Sequence, residues 1–116
     1  MSDQGNQSKE IEFWSKCIEE AGEPALELGS GTGRILVPLL ERGHKVVGID
    51  TSEDMLEMCI TRCKEKSLRA ELYEQSMLDF RLRRCFSIMF LDSGGLGLFT
   101  ADKDINALFN GVFVRI

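Results

Sequence analysis

Three glycines at alternate positions, Gly29, Gly31 and Gly33, follow the apolar run Ala25–Leu28 and precede a second apolar run that opens at Ile35. Glycine at this density is needed where the backbone must turn tightly or let something approach it. Ala25–Leu28, opened by Pro24, has the length and composition of a buried strand. The segment Ile35–Arg42 puts Ile35, Leu36, Leu39 and Leu40 on one side of a helix, with Gly43 as its stop. The glycines therefore sit at the carboxyl end of a strand, the edge where open α/β sheets hold ligands. A turn without a ligand needs one glycine; three ask for a ligand. Gly29 is expected to turn the chain, Gly31 to clear space for the ligand, and Gly33 to let the helix start close to the sheet.

The rest of the chain repeats the strand-then-helix pattern. Ser8–Ala21 reads as a helix carrying Ile11, Trp14, Cys17, Ile18 and Ala21 at helical spacing. Lys45–Asp50 reads as a second buried strand. Thr51 or Ser52 caps a third helix to about Lys66, with Met55, Leu56, Cys59, Ile60 and Cys63 expected inward. Arg69–Gln75 alternates as a third strand, and Cys85–Asp92 is a nearly continuous apolar fourth. A helical pattern over 102–110 and a fifth strand over 111–116 close the sequence. Alternating strands and helices predict an α/β fold with a mainly parallel sheet. Strands apolar on both faces predict that both faces are covered.

Size and charge narrow the function. The 116 residues suit one domain, with 43% hydrophobic and 28% charged residues and a net charge of −5. An acidic chain without a Lys/Arg stripe argues against nucleic acid as a partner. No apolar run approaches the length needed to span a bilayer, and the polar stretch 1–7 reads as a disordered lead-in; a cytoplasmic location is the default. The four cysteines lack CxxC spacing. Cys59 and Cys63, four apart on one helix, could form a metal pair, but reduced, buried thiols are favoured and no metal site is expected. His44, before the second strand, is expected to be a solvated surface residue.

The dinucleotide fingerprint G-x-G-x-x-G/A would require a small residue where this sequence has Arg34. The spacing present is G-x-G-x-G, preceded by Glu27. "ELGSGTG" followed by "VVGIDTSEDMLE" resembles the class I S-adenosylmethionine-dependent methyltransferases, in their small-molecule-like branch. The resemblance runs from Trp14 to about Phe99. It implies a single methyltransferase-like domain over 1–116, a Rossmann-like three-layer sandwich, S-adenosylmethionine as cofactor and a small-molecule methyl acceptor.

Residue by residue, the resemblance makes Gly29, Ser30, Gly31 and Gly33 contacts to the methionine part of the cofactor, with Glu27 engaging its amino end. Asp50 matches the acid that accepts from both ribose hydroxyls, a task two carboxylate oxygens suit; capping the following helix is its structural alternative. Thr51, beside Asp50, and Leu91, at the end of the fourth strand, belong to the same cofactor set. Met55 matches the apolar adenine contact, with plain core packing as the competing reading. Ser76 stands where the family often has an aspartate for the adenine amino group, and the Met77 amide would serve the ring. Asp92, at the end of the fourth strand, would orient the acceptor or face solvent.

The chain departs from the family at its end. The long fourth crossover helix is compressed, and the usual C-terminal antiparallel hairpin is expected to be lacking. This leaves an active methyltransferase, or a truncated, inactive cofactor-binding fragment or partner-dependent subunit. A nicotinamide-dependent oxidoreductase is disfavoured by Arg34 and by the lack of room for a second nucleotide half. An apolar edge strand over 111–116 would invite pairing with a second copy, giving a homodimer.

Overall fold

The computed structural model describes residues 2–93, 96–100 and 112–115. The elements in chain order are α1 (Ser2–Ala21), β1 (Ala25–Leu28), α2 (Leu36–Glu41), β2 (Val46–Asp50), α3 (Glu53–Glu65), β3 (Glu71–Glu74), β4 (Ile88–Ser93), β5 (Leu96–Thr100) and β6 (Val112–Arg115). They build one six-stranded sheet in the order β3-β2-β1-β4-β5-β6. The β2, β1, β3 and β4 pairings are parallel, and β5 runs antiparallel to both β4 and β6. From β1 the sheet grows first through β2 to β3 and then, across β1, through β4. That reversal beside β1 creates the crevice where such sheets bind ligands.

Pleating sorts the strand residues onto two faces. Ala25, Val46, Ile88 and Phe90 meet Ile11, Trp14 and Ile18 of α1, Leu36, Val37 and Leu39 of α2, and Cys59 and Cys63 of α3. Trp14 is fully buried and stacks on Phe90 with ring centroids 4.5 Å apart. Leu26, Leu28, Val47, Ile49 and Met89 face the other way, against Phe86 and the half-buried Met77, Phe80 and Leu82. Both faces are thus covered, as the apolar strands require. Among the described residues, however, the three helices share one face, and irregular chain between β3 and β4 covers the other. That cover is fastened by Gln75, whose amide exchanges hydrogen bonds with the Arg81 backbone, and by Arg84, which pairs with Glu71.

The Rossmann-like α/β architecture is as expected, and several details are corrected. Helix α1 starts at Ser2, so the stretch expected as a lead-in is helical from there. Residues 96–100, to which the sequence pattern assigned no element, form β5, which pairs antiparallel with both β4 and the final strand; two antiparallel pairings therefore stand where no antiparallel hairpin was expected. The overlooked signal is Gly94-Gly95 between two apolar runs, a two-residue hairpin pattern. The helical pattern over 102–110 lies outside the described residues.

On α3 only Leu56, Cys59 and Cys63 are buried, whereas Met55 and Ile60 are exposed. Positions 56, 59 and 63 fall on one stripe and their neighbours flank it. Burial, and then Cys63, push the Cys59 thiol up to about 12, and burial raises Cys63 as well, so both stay protonated at neutral pH. His44 is not solvated. Its Nε2 lies 2.7 Å from Ser15 Oγ and its Nδ1 3.2 Å from Glu23, so the ring joins α1 to the connections at the amino edge of the sheet. Ser15 is buried in mid-helix, and the trio acts as a clamp.

Candidate functional site

The glycine turn is built on backbone that only glycine adopts readily: Gly29, Gly31 and Gly33 have φ of 67°, 57° and 89°. The turn is fastened to the end of β2 at two points. Ser30 N donates to Ile49 O at 3.0 Å, and Gly31 N donates to Asp50 Oδ2 at 2.9 Å. The other Asp50 oxygen accepts from Ser52 N at 2.9 Å. Asp50 thus braces both the turn and the start of α3. The side-chain cap of α3 is Ser52, whose hydroxyl accepts from Met55 N. Each Asp50 oxygen keeps a second lone pair for a ligand.

A side chain on Gly31 would begin 3.7 Å from Met55 Sδ and 4.0 Å from Asp50 Oδ2, in the gap between them. Met55 is 46% exposed, which sets aside the core reading and leaves it beside the glycine turn. Gly33 does something different. A Cβ there would lie 2.6 Å from Cys59 Sγ and 2.7 Å from Val37 Cγ2, so this glycine lets α2 and α3 pack together. Gly48 has the same kind of role on β2, where a Cβ would strike Ser30 Oγ.

A cleft of about 270 Å³ opens at this edge, lined by Gly29, Asp50, Thr51, Gln75, Ser76, Met77 and Leu78. Five of these seven were expected from the sequence. Ser76 Oγ accepts from Leu78 N at 3.1 Å, which leaves its O–H to donate into the cleft. Leu91 approaches Gly29, its Cδ1 3.6 Å from where a Cβ would stand. A larger hollow of about 490 Å³ runs along the outer face of α3, lined by Asp54, Glu57, Met58, Thr61, Arg62 and Glu65. It touches none of the strand ends, and the smaller cleft is the one joined to the turn.

Glu27, Asp50 and Asp92 come from adjacent strands β1, β2 and β4, and the pleat puts all three on the helix-covered face. Glu27 is 4% exposed and its Oε1 has no hydrogen-bond partner. Burial, then the charges of Asp92 and Asp50 with Arg34 opposing, hold its carboxyl well above the usual range. Ser30 Oγ is the second buried oxygen without a partner among the described residues. An unpartnered buried oxygen is costly and calls for an explanation at a site.

Asp92 does not face solvent. Its side chain is 1% exposed; Oδ2 accepts from Trp14 Nε1 at 2.7 Å, and Oδ1 pairs with Arg34 Nη2 at 2.9 Å. Arg34 also holds Glu10 Oε1 at 2.5 Å. This Trp14–Asp92–Arg34–Glu10 chain links residues up to 78 positions apart. No local sequence signal announces it.

Comparison with known proteins gives the family and the fold. Residues 25–114 match the methyltransferase domain family. The chain belongs to that family. Its fold is that of the class I S-adenosylmethionine-dependent methyltransferases. It resembles the crystal structure of a glycopeptide N-methyltransferase complexed with S-adenosyl-L-homocysteine, with a TM-score of 0.60 and 27% identity over 67% of this chain and 35% of that one. The fold also matches magnesium protoporphyrin IX methyltransferase from Synechocystis PCC 6803 with bound S-adenosylmethionine, with a TM-score of 0.61 and 16% identity over 77% of this chain and 57% of that one. The chain spans less than half of the curated relatives it matches. It covers 42% of a protein named as a methyltransferase in Geobacillus sp. (strain WCH70), at 24% identity over 105 residues, 87% of this chain. It covers 30% of an uncharacterized methyltransferase of Geobacillus thermodenitrificans (strain NG80-2), at 37% identity over 68 residues, 59% of this chain. Among the described residues no helix is long and apolar enough to cross a membrane.

Proposed function

We propose that this chain binds S-adenosylmethionine and serves the transfer of its methyl group to a small-molecule acceptor. The observation that carries the reading is Glu27 Oε1, buried and unpartnered beside a glycine turn that Asp50 braces. A carboxylate in that state suits a cationic partner, and the cofactor's ammonium is one. In this reading Gly29, Ser30, Gly31 and Gly33 form the turn along the methionine part, and Asp50 and Thr51 take the ribose hydroxyls. Met55, Ser76 and Met77 flank the adenine, and Leu91 closes the floor beneath Gly29.

When bound, the cofactor would supply a methyl group on a sulfonium, from which a neutral thioether leaves readily as the acceptor takes the methyl. The protein's part is then to align the acceptor and to exclude water, which supplies much of the rate in such displacements. Asp92, tied to Trp14 and Arg34, holds the scaffold of the site and does not serve as a base. That engagement, with the part-length match to relatives, favours a second reading: a cofactor-binding fragment or subunit whose acceptor site needs further chain. The proposal includes a cytoplasmic location, supported by four free thiols, and a homodimer pairing through the β6 edge. Sedimentation across a concentration series tests the dimer.

Calorimetry with S-adenosylhomocysteine and NAD tests the core of the reading. Binding of the first and not the second is expected; tighter binding of NAD would overturn it. Binding of cofactor without methyl transfer to any small molecule in a panel of amines, thiols and phenols would select the second reading.

A further inference from the structure

We propose that Arg34 is a positioning residue that couples the cofactor turn to the first half of α1, so that docking of that half-helix and cofactor binding reinforce each other. The inference rests on the cofactor reading above and goes beyond it. Arg34 directly follows the last glycine, so its backbone belongs to the turn. Its carbonyl oxygen accepts from Gln7 Nε2 at 3.1 Å. Its guanidinium spans Glu10 on α1 and Asp92 at the end of β4, whose side chains are 6% and 1% exposed. The planar fork of arginine can hold two carboxylates at once, which lysine's single ammonium does less well.

The two halves of α1 are held differently. From Ile11 onward the helix is fixed by Ile11, Trp14 and Ile18, all buried in the core. Before Ile11, the described polar contacts of α1 are those of Gln7 and Glu10, and both fall on Arg34. Burial alone would lower the guanidinium pKa, yet the hydrogen bonds and charges of Glu10 and Asp92 raise it, so the charge stays fixed at this joint. The turn itself is held to β2 through Gly31 and Asp50. A ligand that orders the turn therefore orders the anchor of the half-helix. By linkage the docked half-helix must favour the ligand by the same factor.

The test is amide hydrogen exchange of the full chain with and without S-adenosylhomocysteine, alongside calorimetry. In the unaltered protein the ligand should slow exchange across Gln7–Trp14, whose last four amides close on carbonyls of the first half of α1, as well as in the turn. In Arg34→Ala it should bind at least about fivefold more weakly and slow exchange in the turn only. Glu10→Gln leaves the turn intact and should also lose the ligand-dependent slowing in α1. A merely structural role would speed exchange in α1 equally with and without ligand, so the difference between the two conditions is the readout. Ligand binding that protects the turn but leaves Gln7–Trp14 unchanged overturns the coupling while the cofactor reading stands. Unaltered affinity in Arg34→Ala also overturns it. Absence of binding to the unaltered protein removes both.

Discussion

The carboxylate of Asp50 accepts a hydrogen bond from the amide of Gly31 at 2.9 Å, nineteen residues before it in the chain. The acid at the end of β2 and the central glycine of the turn after β1 are thus parts of one object. Under the proposed function, Asp50 is at once the ribose ligand and the brace of the glycine turn.

Substitution of Asp50 should therefore affect stability and binding together. Asp50→Ala is expected to weaken S-adenosylhomocysteine binding by about 1.5–3 kcal/mol, the scale of hydrogen bonds to a charged acceptor. It should also lower stability by about 1 kcal/mol, because Gly31 N and Ser52 N lose their partner. Asp54→Ala, on the outer face of α3, should change neither. Calorimetry and thermal melts of the two variants decide it, and equal losses of affinity would make Asp50 only structural.

Gly31 and Gly33 should separate function from folding. Gly31→Ala adds a Cβ that contacts nothing closer than 3.7 Å, at a φ of 57° that costs about 1–2 kcal/mol. Its main effect should be on ligand affinity, since the new methyl enters the gap between Met55 and Asp50. Gly33→Ala puts a Cβ 2.6 Å from Cys59 Sγ and should cost about 2–4 kcal/mol of stability through strain and overpacking. Affinity per folded molecule, measured below both melting temperatures, should fall in the first variant and hold in the second.

Glu27 sets a pH dependence. Its carboxyl is raised above the ordinary value of 4.5 by burial, then by Asp92 and Asp50. The folded state therefore holds this proton more tightly than the unfolded state. The associated stability is complete below about pH 4.5 and is lost as pH rises through the raised folded value. Glu27→Gln should accordingly raise the melting temperature of the ligand-free protein at pH 8 and change it little at pH 4.5. The same change should weaken cofactor binding at pH 8. A variant that melts lower at pH 8 would show that the ionised carboxylate has a partner.

His44→Ala should cost about 1–3 kcal/mol, since it strands the buried Ser15 hydroxyl. It lies at the amino edge of the sheet, so cofactor affinity should not change. Denaturant unfolding combined with calorimetry checks both halves of the prediction.

The sequence by itself determined the local parts. Runs such as Ala25–Leu28 and Lys45–Asp50 are short, largely apolar and followed by turn signals, the pattern of buried strands, and three glycines between a strand and a helix marked where a ligand was expected. The turn was legible from its glycines, and Asp50 through the family resemblance, which places an acid at the end of the next strand. Tertiary structure decided what depends on distant partners. Asp92, a solvent-or-acceptor candidate in the sequence, is an anchor for α1 and the glycine turn because Trp14 and Arg34 reach it across 78 and 58 positions. Gly33 turned out to serve the contact between α2 and α3, and His44 to be a clamp, because a single position does not reveal what will pack against it. The Gly94-Gly95 pair is a local hairpin signal in the sequence, but the direction of β5 is fixed only by its pairing with β4. Hydrogen bonds and burial join residues by space, and their pattern is settled only when the sheet closes.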